Sequence, residues 1–146
     1  MEEIVITSFR GEHGFLSNFY KCEIRLYNKK FKSSEHAFMY CKSDQLGYKK
    51  SILAAETPSE AKKLGRKCKL RRDWESVKEE AMYQSVFAKF SQNDFLKKRL
   101  LDTGDQKLIE GNTWNDKTWG AVWDGNKWDG KNLLGKILMR VRKELQ

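Results

Sequence analysis

The sequence has few of the residues that disulfide frameworks and metal centres need. Its three cysteines, Cys22, Cys41 and Cys68, are an odd number, and no two of them have CxxC spacing. We therefore expect free thiols and a reducing, cytoplasmic environment. His13 and His36 are the only histidines, and they form no zinc-ligand pattern with the cysteines. We expect neither a metal nor another cofactor.

Long apolar segments and familiar nucleotide or hydrolase motifs are also missing. No apolar run approaches the roughly 18 residues that a membrane span needs, and the start, MEEIVITSF, lacks the regions of a signal peptide. The absence of GxGxxG and of GxxxxGKS/T argues against the usual phosphate-binding loops. The absence of GxSxG, with only two histidines, leaves little room for a Ser-His-Asp triad.

What the sequence does contain is positive charge. Its 146 residues include 29 Lys and Arg against 20 Asp and Glu, which gives a net charge of +9. The length and the 39% hydrophobic content predict one globular domain over residues 1–146. The charge indicates an anionic partner such as nucleic acid, a nucleotide or a phosphorylated metabolite, although many basic domains are merely soluble. Seven cations lie in residues 62–72, which form either a solvated face or a phosphate-binding surface.

The hydrophobic and turn patterns predict an α+β fold with more helix than strand. A capping box at Thr57 starts a helix that stops near Gly65. Ser33 or Ser34 caps a helix that runs from Glu35 to about Ser43. The other predicted elements are a strand at 4–9, a loop at 14–20, a hairpin at 22–33 that turns at Asn28-Lys29, helices at 74–91 and at 93–101, strand-like pieces within 107–123, turns at 124–132, and a last helix capped by Asn132.

Two charged residues in the segment SSEHAFMYCK, residues 33–42, are spaced for a shared helix face. Glu35 and Lys42 are seven residues apart, which at about 100° per residue places them on nearly the same side. They form either a surface pair or one wall of a pocket. In a pocket, Glu35 is suited to acid–base work, and Lys42 to nucleophilic attack or phosphate binding.

Four of the five tryptophans lie within 15 residues, at Trp114, Trp119, Trp123 and Trp128. Side-chain amides and carboxylates are interspersed among them, which is unusual for a segment that only fills a core. The tryptophans either anchor an irregular loop or form a stacking platform for a base or nicotinamide ring. Both interpretations stay open on the sequence.

Seven segments of the chain are each weak signals alone but specific as an ordered set. They are FRGEHGFLSNFY (9–20), SSEHAFMYCK (33–42), TPSEAKKLGR (57–66), KFSQN (89–93), LLDTGDQKLIEG (100–111), DKTWG (116–120) and GKNLLGKILMRVR (130–142). Together they cover nearly the whole chain, and they resemble the NADAR superfamily of YbiA-like domains, which are associated with NAD and ADP-ribose.

The resemblance implies a mainly helical α+β domain that cleaves N-glycosidic bonds without a metal. It implies one of two substrates: ADP-ribose attached to guanine, including guanine in nucleic acid, or phosphorylated ribosylated intermediates of early riboflavin synthesis. We favour the first, because seven clustered cations exceed what a monophosphate needs. The alternative from a different class is a non-catalytic module that binds ADP-ribose or nucleic acid.

The resemblance also implies site residues. Glu35 matches the family's motif carboxylate and Lys42 its motif lysine, and these are the expected catalytic residues. The expected substrate-binding residues are Gly14, Phe15, Ser17, Asn18 and Phe19 of the N-terminal loop, Asp116, Trp119 and Gly120 of D-x-x-W-G, and Asn132 of G-x-N-x-x-G. From the charge pattern, the expected phosphate or nucleic-acid contacts are Arg66, Lys69, Arg71 and Arg72.

Two routes for breaking the C1′–N bond stay open at this point. In one, Lys42 attacks the anomeric carbon and opens the ribose as a Schiff base while Glu35 moves the protons. In the other, Glu35 activates water against an oxocarbenium-like centre, and Lys42 holds phosphate or tunes the pKa of Glu35.

Overall fold

The computed structural model describes residues 4–146, which form the predicted α+β fold, mainly helical with short strands. The first three residues of the segment MEEIVITSF lie outside the described residues. In chain order the elements are β1 (Val5–Ile6), a 3-10 helix (Gly11–Leu16), β2 (Lys21–Leu26), β3 (Lys29–Ser33), α1 (Ser34–Tyr40), α2 (Leu46–Ala54), α3 (Pro58–Lys67), α4 (Trp74–Gln92), α5 (Asp94–Asp102), β4 (Lys107–Leu108), β5 (Val122–Trp123), β6 (Trp128–Asp129) and α6 (Leu133–Glu144).

The chain divides into two units. The middle unit is Asn18–Asn93, and the terminal unit combines the described residues up to Ser17 with Asp94–Gln146. A single domain over residues 1–146 stays a prediction. No helix in the described part of the chain has the length and apolar character that a membrane crossing requires. The three cysteines are free, as expected, and residues 4–146 contain no group of three His, Cys, Asp or Glu side chains placed to hold a metal ion.

In the middle unit, β2 and β3 form the predicted antiparallel hairpin, but its turn lies one residue earlier than predicted. Tyr27 and Asn28 occupy the turn, with φ of 55° and 59°, instead of Asn28 and Lys29. Two consecutive left-handed residues form a type I′ turn, which matches the twist of the strands. Ile24 pairs with Phe31 and both are buried, so the shared core face sets the register and therefore the turn.

Helix α1 begins at Ser34, one residue before the predicted start, and ends earlier than predicted. The Ser33 Oγ accepts a hydrogen bond from the His36 N–H at 3.1 Å and so caps the helix. The helix ends at Tyr40 instead of continuing to about Ser43. Lys42 therefore lies beyond α1, in the turn that follows it.

The sequence predicts α3 and misses α2. In α3, Thr57 Oγ1 accepts from the Glu60 N–H at 3.1 Å, which confirms the cap at Thr57. The Glu60 carboxylate accepts from the Glu56 N–H at 3.1 Å, one residue before the position that a capping box requires. The helix continues past Gly65 to its end at Lys67. Helix α2 has no capping side chain at its start, and Ile52 is its buried residue, so neither a cap nor an apolar stripe marks it. The two helices predicted after α3 are confirmed to within one residue as α4 and α5.

In the terminal unit, β1 pairs in parallel with β4, and β5 pairs antiparallel with β6. The strand predicted at 4–9 is confirmed only at Val5–Ile6. The loop predicted at 14–20 is wrong at its start, because the 3-10 helix runs to Leu16. The segment 124–132, predicted to contain only turns, includes β6, whose pairing with β5 uses the backbone groups of both strands.

Asn132 precedes α6 as predicted, but its side chain makes no capping bond. Its backbone is left-handed, with φ of 52°. Its Oδ1 accepts from the Glu110 N–H at 2.9 Å, and its Nδ2 donates to Leu108 O at 2.9 Å. The capping prediction is therefore wrong, because the side chain joins the start of α6 to the segment around β4.

Candidate active site

Glu35 is a nearly buried carboxyl group with no direct partner in the described part of the chain. It lies in the first turn of α1, and only 7% of the residue is exposed. Within residues 4–146 its carboxylate has neither a hydrogen bond nor an ion pair. Burial raises the pKa of Glu35 to about 7, against the attraction of Lys62, Lys42 and Arg66, which lowers it. A carboxyl group with this pKa both donates and accepts a proton near neutral pH.

Asn18 fixes the start of α1. Its backbone carbonyl accepts from the Glu35 N–H at 3.1 Å, and its Oδ1 accepts from Ser34 Oγ at 2.8 Å. Its Nδ2 donates to the Met82 Sδ of α4 at 3.3 Å. These bonds use both ends of the Asn18 amide, so the residue positions Glu35. Its predicted contact with substrate stays a prediction.

Lys42 reaches the site from the turn after α1, so the prediction that it shares a helix face with Glu35 is wrong. The carbonyls at this end of the helix accept from groups elsewhere in the middle unit. Tyr48 Oη donates to Met39 O at 2.5 Å, and the Arg71 N–H donates to Lys42 O at 2.9 Å. These contacts hold the turn that carries Lys42, and Lys42 remains close enough to lower the pKa of Glu35.

Helix α3 brings two more cations to the site. Lys62 and Arg66 are four residues apart, so they lie on one face of α3, and both lower the pKa of Glu35. The helix approaches α1 closely at Gly65, where a Cβ atom would overlap the sulfur of an α1 methionine. The Gly65 carbonyl accepts from Lys42 Nζ at 3.0 Å. Glycine at this position lets the cationic face of α3 come near the carboxyl group.

Phe19 places an aromatic ring beside the same cations. Lys62 Nζ lies 5.6 Å from the ring centroid, within the range of a cation–π contact. The residue is 42% exposed, so part of its ring faces solvent. A flat exposed ring next to a cation is suited to stacking against a base.

The basic segment 62–72 adjoins this site, because it supplies two of the cations that act on Glu35. Arg71 is held by Asp73 through two hydrogen bonds of 2.6 and 3.0 Å. Lys69 and Arg72 are exposed, and neither has an ion pair among the described residues. Both cations are therefore available to an external anion, together with the other exposed cations of this segment.

Net charge is unevenly divided along the chain. The middle unit has 17 Lys and Arg against nine Asp and Glu, whereas the rest of the sequence has 12 against 11. The unit that holds Glu35 therefore carries nearly all of the net positive charge. Such an excess favours an anionic partner at this unit.

Three predicted binding residues lie at the start of the terminal unit. Gly14 and Phe15 belong to the 3-10 helix, and Ser17 follows it, with its N–H donating to Gly14 O at 3.0 Å. Phe15 is buried, and the guanidinium of Arg99 lies 4.2 Å from its ring centroid. These contacts order the segment, and the substrate contacts of its residues stay predictions.

Four further predicted binding residues form an ordered region elsewhere in the terminal unit. Asp116 Oδ1 accepts from two backbone N–H groups, that of Trp119 among them, at 3.1 and 3.0 Å. Gly120 has no room for a Cβ beside a neighbouring carbonyl. Asn132 is tied to the backbone around β4 by the bonds described above. Their roles in substrate binding also stay predictions.

Sequence reasoning missed Lys62 and Tyr48 as individual site residues. Lys62 is the foremost of the cations that lower the pKa of Glu35. Its four-residue spacing from Arg66 on a capped helix, with Gly65 between them, is the signal that could have found it. Tyr48 lies in the unmarked helix α2, and no pattern in the sequence points to it.

A family model of the NADAR domain matches residues 7–146. The chain belongs to the NADAR family. The NADAR match includes residues of both units, and it confirms the family resemblance of the sequence segments. The N-glycosidase YbiA of Escherichia coli strain K12 is 38% identical over 149 residues, which cover 99% of this chain and 91% of that protein. An N-glycosidase of Nostoc punctiforme is 37% identical over 140 residues, covering 92% of this chain and 86% of that protein.

The chain is also similar to a longer relative and to a solved structure. A riboflavin biosynthesis protein of Vibrio vulnificus is 41% identical over 136 residues, 92% of this chain. This chain spans only 36% of that protein. The NMR structure of the E. coli protein YbiA matches with a TM-score of 0.85 at 38% identity, covering 99% of this chain and 86% of the other.

Glu35→Gln should stabilise the protein at alkaline pH. The pKa of Glu35 rises on folding from its ordinary 4.5 to about 7, so the native state holds a proton that the unfolded state loses between these values. Stability of the wild type therefore falls as pH rises through this window, by about 3 kcal/mol. The neutral amide has no such loss. Urea unfolding should be measured at about pH 5 and about pH 8. The free energy of unfolding of Glu35→Gln, relative to that of the wild type, should be higher at the higher pH.

The matched control is Glu79→Gln, which removes an exposed carboxylate of α4. It should leave the pH dependence of unfolding unchanged. If wild type and Glu35→Gln have parallel stability profiles, Glu35 does not titrate in the neutral range.

Proposed function

We propose that this NADAR domain hydrolyses the N-glycosyl bond between ADP-ribose and guanine, in nucleotides and in nucleic acid. Glu35 is the acid–base catalyst, and Lys42, Lys62 and Arg66 bind phosphate. The observation that carries the proposal is the buried, unpaired carboxyl group whose pKa is about 7. The activity class rests on the family, whose curated relatives from E. coli and Nostoc are named N-glycosidases.

Breaking the C1′–N bond requires a proton on the leaving nitrogen and a nucleophile at C1′. Protonated Glu35 donates its proton to the guanine nitrogen as the bond breaks. The resulting carboxylate then takes a proton from water, whose oxygen bonds to C1′. The proton given up in the first step is recovered in the second, so the catalyst returns to its starting state. A pKa near 7 allows one group to fill both roles.

Lys42 provides a second route that uses the same proton carrier. Its Nζ donates to Gly65 O at 3.0 Å, which holds the amine at the site. The ammonium gives a proton to the Glu35 carboxylate, and the neutral amine bonds to C1′ as the C1′–N bond to guanine breaks and Glu35 passes that proton to the guanine nitrogen. The C1′–O4′ bond then breaks as a proton moves from the lysine nitrogen to O4′, which leaves a protonated Schiff base. Water hydrolyses the Schiff base to ADP-ribose and the lysine ammonium. Borohydride added during turnover separates the routes. A reduced adduct on Lys42 supports the Schiff base, and turnover without an adduct supports direct attack by water.

The cations around Glu35 are suited to a pyrophosphate. They come from two segments, with Lys42 in the turn after α1 and Lys62 and Arg66 on α3, so they can bind more than one phosphate oxygen. Phe19 lies under Lys62, which places a stacking surface beside the same cation. This combination supports a substrate in which an aromatic base is joined to a phosphorylated ribose.

The basic segment supports a nucleic-acid substrate over a free nucleotide. Lys69 and Arg72 extend the positive surface beyond the cations nearest Glu35. A single phosphate bound by those nearer cations would not contact them. A strand contacts several cations at once, and each phosphate that is neutralised releases counterions and adds affinity. The excess of positive charge in the middle unit also adds affinity for a nucleic-acid strand.

A phosphorylated ribosylamine of early riboflavin synthesis is the second candidate substrate. The observation that favours it is the 41% identity to the Vibrio protein named for riboflavin biosynthesis. Such a compound also has a C1′–N bond, and its hydrolysis would use Glu35 in the same way. A module that binds ADP-ribose without cleaving it is the non-catalytic alternative.

Glu35→Gln should abolish most turnover. The amide keeps the shape of the side chain but cannot carry the proton, so release of ADP-ribose from an ADP-ribosylated guanine oligonucleotide should fall by about 100-fold or more. Glu79→Gln is the control and should retain activity. Chromatography of free ADP-ribose, with the riboflavin intermediate run in parallel, identifies the substrate. Full activity of Glu35→Gln would remove Glu35 from the mechanism, and binding without release by the wild type would favour the non-catalytic module.

Turnover of a modified oligonucleotide should depend more steeply on salt than turnover of a modified mononucleotide. Removing two exposed cations with K69A and R72A together should reduce the slope of log kcat/KM against log salt by about 2, one for each phosphate contact. The double variant K29A and K50A removes two exposed lysines of the same unit and should leave the slope unchanged. Equal, shallow slopes for both substrates would contradict a nucleic-acid substrate.

A further inference from the structure

The terminal unit contains a pocket of about 400 Å³ that shares no residue with the Glu35 site. Its wall includes Ser8, Arg10 and Thr113 and the three indoles of Trp114, Trp123 and Trp128. The volume lies in the range of small-molecule sites, roughly 300–1,000 Å³. Three indoles with a few polar groups are the kind of lining that holds a flat ring with polar edges.

The indoles are not simply core anchors. Trp114 and Trp123 are each 53% exposed. Trp123 and Trp128 pair across the β5–β6 hairpin, with ring centroids 5.4 Å apart and planes at 62°. Asp124 Oδ1 closes that hairpin by accepting from two backbone N–H groups, at 2.8 Å each. Exposed rings on an ordered hairpin form a stacking surface at little further cost in conformational entropy.

Gly111 shapes the floor of the pocket. A Cβ at this position would lie 2.9 Å from the Cη2 of Trp128 and would overlap Thr7 O. Glycine therefore lets the indole lie directly on the backbone. This close approach fixes the ring that supports Trp123.

Arg10 supplies the one positive charge in the pocket lining. Its guanidinium lies 5.6 Å from the ring centroid of Trp114, in a cation–π contact. Among residues 4–146 it has no carboxylate partner. The guanidinium is therefore held in place by an aromatic ring while its hydrogen-bond donors are available to an anion.

We propose that this pocket binds a nucleobase, stacked on the exposed indoles of Trp114 and Trp123, with the phosphate of the same nucleotide on Arg10. Outside the middle unit the sequence has 12 Lys and Arg against 11 Asp and Glu, so bulk charge does not draw a polyanion here. The lining residues are suited to stack one ring and to contact one phosphate. The nucleotide is either free or part of a single strand. The inference does not depend on the proposed hydrolysis.

The test is a titration with GMP, followed by the indole Nε1–H signals of the tryptophans in two-dimensional NMR spectra. Signals of Trp114, Trp123 and Trp128 should shift in a saturable way, and that of Trp74, buried in the middle unit, should not. Ribose 5-phosphate, which has no base, should shift none of them. Absence of shifts with GMP, or equal shifts with ribose 5-phosphate, would overturn the proposal.

Variants separate the two contacts. Trp123→Ala should weaken GMP binding by about fivefold or more, and Arg10→Gln should remove the preference for GMP over guanosine. Phe95→Ala and Arg140→Gln, at exposed positions of the same unit, are the matched controls and should leave binding unchanged. Loss of affinity in the controls as large as in the test variants would contradict a specific site.

Two further experiments identify the source of the nucleotide and separate this proposal from the proposed hydrolysis. Tighter binding of a single-stranded oligonucleotide than of its abasic copy and of GMP assigns the pocket to a strand, and equal binding of oligonucleotide and GMP assigns it to a free nucleotide. Glu35→Gln should give the same indole shifts as the wild type. Failure of hydrolysis and failure of this binding are therefore separate results.

Discussion

A carboxyl group buried without a direct partner is the constraint on which the arrangement of the middle unit depends. Removing a carboxylate from water is costly unless it is paired or protonated. Glu35 has no pair in the described part of the chain, so the bonds of Asn18 to the start of α1, and the cap from Ser33, must hold it in place. Burial costs stability and at the same time moves the pKa of the group into the neutral range, where proton transfer is most effective.

The three cations act on this carboxyl group without forming an ion pair with it. A direct ion pair would hold the carboxylate ionised, and the site would lose its proton donor. At longer range, Lys42, Lys62 and Arg66 lower the pKa only in part, so burial remains the larger influence. Their own charges then remain for the phosphates of a substrate. At Gly65, where a Cβ would overlap the Met39 sulfur, α3 packs closely against α1.

Local signals in the sequence predict one part of this site, and tertiary contacts determine the rest. Ser33 and the segment after it place the start of α1, and with it Glu35, because a helix cap is a property of neighbouring residues. The turn after α1 is held instead by bonds from residues outside that segment, the hydroxyl of Tyr48 to Met39 O and the N–H of Arg71 to Lys42 O. A helical spacing argument therefore identifies Lys42 correctly as a neighbour of Glu35 but gives the wrong geometry for it. The longest helices, α4 and α6, have no side-chain cap and are predictable from the spacing of their apolar residues. Helix α2 has neither a cap nor such spacing.

Direct titration of the Glu35 carboxyl carbon by ¹³C NMR tests the central claim without any substrate. The account predicts a pKa of about 7 for this group. Lys62→Met should raise the pKa of Glu35 further, because it removes an attraction that favours the carboxylate, and Lys63→Met, at an exposed position of the same helix, should not change it. A wild-type Glu35 that titrates at its ordinary value of 4.5 would contradict the account.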